Sequence, residues 1–179
     1  TEYSDCRICP RECGADRNAG SYGYCMSGVL PRIAQYSPHR WEEPPISGTK
    51  GSGTVFFSGC NLKCVYCQNM EISRMETGLQ VDVEGLIAIF LELGRTCHNI
   101  NLVTSAHFLP TVARAITEAK EQGLSVPIVY NTSSYEKQSA IRALRGLVDI
   151  YLPDIKYHSS RLGKVLSNAP DYFDVASAA

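Results

Sequence analysis

The stretch TVFFSGCNLKCVYCQN, residues 54–69, joins a short apolar run to three cysteines that lie within eight residues. The run at 54–58 is rich in β-branched and aromatic residues, which predicts a buried strand. Cys60, Cys64 and Cys67 follow on the loop at its carboxyl end, where parallel α/β folds place their chemistry. Three thiolates are an odd number for disulfides and one short of a closed tetrahedral zinc site. They can instead hold three irons of a cubane 4Fe–4S cluster and leave the fourth iron for an outside ligand.

From residue 51 onward the chain alternates strand and helix patterns. Further strands are predicted at 100–105, 126–131 and 148–153, with amphipathic helices between them. Short apolar strands separated by helices predict a parallel sheet covered on both faces. Four strands cannot close a barrel, so we expect an α/β fold with a parallel partial barrel that is truncated after about four strands. Such a chain is either a half-barrel that finds a partner or a fragment of a longer protein.

Residues 1–28 form a separate cysteine-rich module with little periodicity, which a metal would have to fold. Its four thiolates satisfy a tetrahedral zinc ion and a second iron–sulfur cluster equally well, and the spacing leaves both open. The ligands are Cys6, Cys9, Cys13 and Cys25. Arginines beside them are expected to offset the thiolate charge or to face an acidic partner: Arg7, Arg11 and Arg17.

Residues 29–50 carry four of the nine prolines and predict an extended connector laid along the main domain, which we place at 51–179. His39 and Trp41 are candidates for the site entrance, although core packing is the favoured explanation for Trp41. Cys97 stands apart from both cysteine groups and is expected to pack as a small hydrophobic side chain.

The bulk composition excludes several classes of protein. The net charge is −1 over 179 residues, which argues against a general nucleic-acid footprint. No apolar run approaches the length of a membrane span, and no signal peptide is evident, so we expect a cytoplasmic protein without membrane partners. Seven of the eight cysteines form two groups in which most neighbours are three or four residues apart, a spacing that favours metal binding over disulfides.

The spacing C-x3-C-x2-C, with Tyr66 before the last cysteine, resembles the signature of radical S-adenosylmethionine (SAM) enzymes. The stretches NINLVTSAHFLP, VPIVYNTSSYE and VDIYLPDIKY extend the resemblance to proteins related to pyruvate formate-lyase activating enzyme, a group that shares the N-terminal CRICPRECG-like segment. The resemblance covers nearly the whole chain. Members of this group continue well beyond the fourth strand.

The resemblance implies a reduced 4Fe–4S cluster that cleaves SAM to a 5′-deoxyadenosyl radical, which then abstracts hydrogen from a substrate. It also implies an electron donor such as flavodoxin or ferredoxin. A protein substrate, activated as a glycyl radical enzyme, is the further expectation by analogy.

SAM contacts are expected where the strands end. Where such enzymes commonly carry a Gly-Gly-Glu stretch, this chain has VTSAHF, so the candidates there are Thr104, Ser105 and His107. The resemblance and the strand ends together add Tyr66, Asn69, Asn131, Thr132, Asp154 and Lys156. Asp154 and Lys156 resemble an Asp-x-Lys pair and point to the same face of a strand.

The alternative from a different class is a non-catalytic interaction module with two zinc-binding cysteine knuckles. It predicts zinc in both cysteine groups, no labile sulfide and no SAM binding.

Overall fold

The computed structural model describes residues 2–74 and 77–179. These residues form an α/β structure with a six-stranded mixed sheet and seven α-helices. The strands are β1 Arg32–His39, β2 Ser52–Phe57, β3 Leu79–Gln80, β4 Ile100–Val103, β5 Ile128–Thr132 and β6 Ile150–Pro153. The helices are α1 Pro44–Ser47, α2 Met70–Arg74, α3 Val83–Gly94, α4 Leu109–Glu121, α5 Gln138–Ala143, α6 Ser160–Ser167 and α7 Tyr172–Ala178.

The four strands predicted from the sequence form the parallel part of the sheet. The strand order is β3-β1-β2-β4-β5-β6, and β2, β4, β5 and β6 pair in parallel. The sheet is open in this part of the chain, with β3 and β6 at its edges. Helix α3 begins after Asp82, which caps it because Asp82 Oδ1 accepts the Gly85 N–H at 2.9 Å.

The proline-rich segment contributes a strand as well as a connection. Strand β1 pairs antiparallel with β2, from Ile33 opposite Phe57 to His39 opposite Ser52, which makes the sheet mixed. Helix α1 then begins at Pro44, which suits the first turn of a helix because proline lacks an N–H. The sequence did not predict this strand because prolines are unfavourable in strands. Pro38 lies near the end of β1, where the missing N–H donor costs little.

Helices cover one face of the parallel strands, whereas the sequence predicted cover on both. The four parallel strands β2, β4, β5 and β6 are adjacent in chain order, so successive right-handed crossovers place their helices on the same side. The core lies between that side of the sheet and helices α3 and α4, and its fully buried members include Val55, Leu102, Phe90 and Ile116. The opposite face carries the candidate site.

A second apolar cluster lies beyond the carboxyl edge of the sheet. It joins Leu62 and Cys64 of the cysteine loop to Tyr135, Tyr157 and Tyr172. Helices α6 and α7 therefore pack behind the loop and hold it against the sheet. No helix among the described residues has the length and apolar character needed to cross a membrane.

Candidate metal and cofactor site

The cysteine loop, residues 58–69, starts where β2 ends and turns back at once. Gly59 makes this turn with φ +84°, a conformation that favours glycine. A Cβ at this position would lie 2.6 Å from the Cys25 carbonyl oxygen and 2.5 Å from Ser27 Oγ. The loop is thus pressed against the N-terminal module, with no room for a side chain at the turn.

The three loop cysteines line one cavity. The Cys60 sulfur accepts backbone N–H groups from Leu62 at 3.3 Å and Lys63 at 3.5 Å, an arrangement that stabilises a thiolate. Burial raises the pKa of the Cys60 thiol, and the neighbouring Cys64 and Cys67 raise it further. A positively charged group bound here would relieve both effects, as metal centres do for coordinating thiols.

The described residues contain no group of three His, Cys, Asp or Glu side chains arranged around a single metal ion. In a cubane cluster each cysteine binds a different iron, so its thiolates need not meet at one point. The donor set, three soft thiolates with N–H support on the wall of a cavity, fits a cluster better than a closed zinc site.

The cavity has a volume of about 660 Å³, within the range of small-molecule sites. One wall is the uncovered sheet face, where Phe56, Val103 and Asn131 lie side by side in register on β2, β4 and β5. The cysteine loop forms the opposite wall. The cavity therefore combines an apolar surface, three thiolates and the polar ends of parallel strands.

Most of the strand-end residues predicted as cofactor contacts line this cavity. They are Thr104, Asn131, Thr132, Asp154 and Lys156. Thr104 has φ +60°, which is unusual for a β-branched residue and is typical of strained positions in functional sites.

The predicted Asp-x-Lys pair forms an ion pair at the cavity. Lys156 Nζ donates to Asp154 Oδ2 at 2.7 Å. Burial alone would lower the pKa of Lys156, but the hydrogen bond and charge of Asp154 outweigh it and the pKa is raised. Lys156 is therefore a fixed cation at the cavity wall.

Tyr66 and Asn69 of the cysteine loop also line the cavity. Tyr66 is half exposed, and its ring makes an edge-on contact with Tyr157, with 6.1 Å between centroids. Tyr66 lies between Cys64 and Cys67 in sequence, so this contact anchors that part of the cysteine loop to Tyr157.

Two predicted contacts, Ser105 and His107, are not among the residues that line the cavity. Both are buried, because the chain enters a short 3-10 turn after β4 and turns them toward the protein interior. His107 Nε2 lies 2.8 Å from the Ser58 carbonyl oxygen, and its Nδ1 has no hydrogen-bond partner among the described residues. Burial lowers the pKa of His107 to about 3, so the ring is neutral and supports the start of the cysteine loop from behind.

The other end of the cavity is formed by residues between β1 and α1. His39, Trp41 and Glu42 line it, and Glu42 accepts the Asn101 Nδ2–H at 2.9 Å. Burial raises the pKa of Glu42. The prediction that Trp41 packs in the core is wrong, because Trp41 is 89% exposed. Glu42 was missed because it lies within the proline-rich connector and belongs to no recognisable motif.

Tyr172 was also missed, although it connects two cavity loops. Its hydroxyl lies 2.7 Å from the Ser133 carbonyl oxygen and 2.9 Å from that of Asp154, and it accepts the Lys156 N–H at 3.0 Å. Its partners are 16 to 39 residues away in sequence, so no local pattern could have indicated this role.

In the N-terminal module Cys6, Cys9 and Cys25 are buried and Cys13 is exposed. Burial, with smaller contributions from the other three cysteines, raises the pKa of Cys9 to about 11, so those three cysteines lie within electrostatic range of Cys9. Arg17 is buried and donates to the His107 carbonyl oxygen at 2.7 Å. The module thus packs directly behind the cysteine loop.

The three N-terminal arginines have different contacts. Arg7 pairs with Asp5 on the surface. Arg11 Nε donates to the Asn61 carbonyl oxygen at 2.7 Å, and its Nη2 donates to that of Ser167 at 2.8 Å. Arg11 therefore joins the module, the cysteine loop and the end of α6.

Cys97 is 3% exposed and packs in the main core, which confirms its predicted role.

Comparison with known proteins finds similarity to an archaeal protein. No family model matches the chain. An uncharacterized protein of Methanocaldococcus jannaschii is 27% identical over 180 residues, which cover 97% of this chain and 52% of the relative. The chain therefore spans about half the length of this relative.

Proposed function

We propose that this chain is the cluster- and SAM-binding part of a radical SAM enzyme, built on a partial (β/α) barrel. The observation that carries the proposal is the convergence of Cys60, Cys64 and Cys67 on a cavity of about 660 Å³ at the carboxyl ends of parallel strands. The cysteine spacing and the cavity are independent observations, and both favour a cluster with an open coordination position.

The loop cysteines would bind three irons of a 4Fe–4S cluster and leave one iron to the amino and carboxylate groups of SAM. With both groups bound, the site would supply one-electron cleavage of the sulfonium to a 5′-deoxyadenosyl radical. The N–H groups of Leu62 and Lys63 would stabilise the thiolate of Cys60.

The strand ends supply polar groups for SAM. The amide of Asn131 suits the ribose, and the Lys156 cation suits a carboxylate. The Thr132 hydroxyl already donates to the Glu136 carboxylate and accepts the Ser134 N–H, so Thr132 supports the strand end. Phe56 and Val103 present apolar surface that limits the access of water to the reacting atoms. These residues bind and orient, and the redox chemistry belongs to the cofactors.

The N-terminal module is proposed to hold a structural zinc ion or a second iron–sulfur cluster. It lies against the cysteine loop through Gly59 and Arg11, so either metal would also stabilise that loop. Because the two metals differ in iron and sulfide content, metal analysis distinguishes them.

The substrate and the donor are proposed by analogy alone. The donor would be a cytoplasmic flavodoxin or ferredoxin, and the substrate a glycine in a partner enzyme. Metal analysis also distinguishes the alternative of two zinc knuckles, which requires zinc at both cysteine groups and no labile sulfide.

The test is anaerobic turnover of reconstituted protein with dithionite and SAM, with 5′-deoxyadenosine measured by mass spectrometry. We expect 5′-deoxyadenosine from the unmodified chain and none from Cys60→Ala. Cys97→Ala, which removes a buried thiol far from the loop, is the matched control and should retain activity. Equal product from Cys60→Ala, or SAM cleavage without iron, would refute the proposal.

A further inference from the structure

A second groove lies on the outer side of the cysteine loop. Its volume is about 400 Å³, and one of its walls is the loop while the other is α6. We name it the basic groove, and define it by Lys63, Val65, Arg74, Lys164 and Val165. It is separate from the candidate SAM cavity, with which it shares no lining residue.

The basic groove concentrates positive charge from two lysines and one arginine. Within the described part of the chain, Lys63, Arg74 and Lys164 form no ion pair with a carboxylate. The Arg74 guanidinium is instead held by the backbone, donating to the Lys63 and Cys64 carbonyl oxygens at 3.3 Å each. The chain as a whole has a net charge of −1, so this positive patch is local.

Apolar side chains lie among these cations. Val65 is 49% exposed and Val165 is 67% exposed. Small apolar contacts surrounded by charge are typical of transient protein interfaces, where charge steers the encounter and fixes orientation.

The groove also includes a residue that is adjacent in sequence to a proposed cluster ligand. Val65 is peptide-bonded to Cys64, and its N–H donates to the Leu166 carbonyl oxygen at 2.9 Å. A protein that covers Val65 would therefore sit one residue from a buried thiolate, on the side away from the SAM cavity.

We propose that the basic groove is the docking surface for an acidic one-electron carrier protein of the flavodoxin or ferredoxin class. The inference rests on the proposed function and assigns the surface through which the electron enters. The reduced carrier loses one electron, the oxidised 4Fe–4S cluster gains it, and no atom is transferred. An acidic protein is the occupant that the charge selects, and the modest groove suits a partner that must leave after each transfer.

The test measures binding of a purified acidic flavodoxin to reconstituted protein by calorimetry, at low and at physiological ionic strength. Lys164→Glu and the double variant Lys164→Glu/Val165→Asp change α6 only, so the cysteine loop stays intact. We expect Lys164→Glu to weaken binding about 10-fold and the double variant to weaken it further, since like charges now face each other. Binding should also weaken with added salt.

The matched control is Lys50→Glu, the same charge reversal at an exposed position just before β2, at the far end of the sheet. It should bind flavodoxin like the unmodified chain. Equal weakening in this control, or unchanged binding in the double variant, would overturn the proposal. Binding that does not respond to salt would overturn it as well.

A second readout separates this proposal from the proposed function. With dithionite, the α6 variants should make 5′-deoxyadenosine at the unmodified rate, whereas with reduced flavodoxin the rate should fall about 10-fold. If the α6 variants lose both the dithionite-driven and the flavodoxin-driven rate but bind flavodoxin normally, the proposed docking surface is contradicted. If the unmodified chain makes no 5′-deoxyadenosine even with dithionite, the proposed function fails, while the binding comparison still tests the surface.

Discussion

At the scale of single residues, Gly59 determines how the cysteine loop leaves the sheet. It has a positive φ, and the backbone of Cys25 and the side chains of Ser27 and His107 surround the place of a missing Cβ. The N-terminal module therefore touches the turn that aims the three thiolates. A change of one methyl group here should affect both folding and metal retention.

We expect Gly59→Ala to lower the free energy of unfolding by about 2–4 kcal/mol, because left-handed strain and overpacking add. Gly123→Ala is the control, since Gly123 has φ +98° and nothing within 4 Å of its Cβ position. Gly123→Ala should lower the free energy of unfolding by about 1 kcal/mol, from backbone strain alone. Chemical denaturation of both variants measures the difference, and equal costs would show that the module does not press on the loop.

His107 predicts a pH dependence of stability. Its pKa in the folded chain is lowered to about 3 by burial, with the charges of Arg17 and Lys63 adding to the effect. The unfolded chain binds the proton near pH 6.5, so the stabilisation is complete above that pH and is lost as the pH falls toward 3. Between about pH 7 and about pH 4.5 the loss should be roughly 2–3 kcal/mol.

His107→Gln is the comparison for this prediction, because its amide can donate to the Ser58 carbonyl oxygen without titrating. Urea denaturation across this pH range should show a flatter profile for the variant. Parallel profiles for the two proteins would mean that the ring is solvated or charged in the fold.

At the scale of secondary-structure elements, α7 fixes the ends of two strands through one side chain. The Tyr172 hydroxyl contacts the backbone after β5 and after β6, next to Asp154 and Lys156. The ring also stacks with Tyr135 and meets Tyr157 edge-on. Helix α7 therefore positions the polar wall of the cavity without lining it.

We expect Tyr172→Phe to lower the free energy of unfolding by about 1–3 kcal/mol, because buried backbone groups lose their hydrogen-bond partner. The half-exposed Tyr36 on β1 provides the control, and Tyr36→Phe should stay within about 0.5 kcal/mol of the unmodified chain. Thermal unfolding of both variants gives the comparison. A neutral effect of Tyr172→Phe would mean that water replaces the hydroxyl and that α7 does not order the strand ends.

The sequence predicted the elements whose signals are local. The apolar runs indicated β2, β4, β5 and β6, and parallel strands bring their carboxyl ends together, so Asn131 and Asp154 could be placed at one cavity. His107 could not be placed, because a 3-10 turn of three residues decided which way it points. Strand β1 and the role of Tyr172 depend on partners distant in sequence, which no local pattern records.

At the scale of the whole molecule, the N-terminal cysteine module packs against the loop that carries the other cysteine group. The N-terminal module lies behind the cysteine loop through Gly59, Arg11 and Arg17, and α6 and α7 hold the loop from another side. The open sheet face leaves the cavity accessible along β6, and the described chain spans about half of its archaeal relative. The metal content of the chain is therefore the property on which the proposed function depends.

The most direct measurement is iron, acid-labile sulfide and zinc per chain on protein purified without oxygen. We expect about four irons and about four sulfides, with about one zinc if the N-terminal module is a zinc site. About eight irons and about eight sulfides without zinc would make that module a second cluster and keep the proposed function. About two zincs with no sulfide would contradict the radical SAM assignment for this chain.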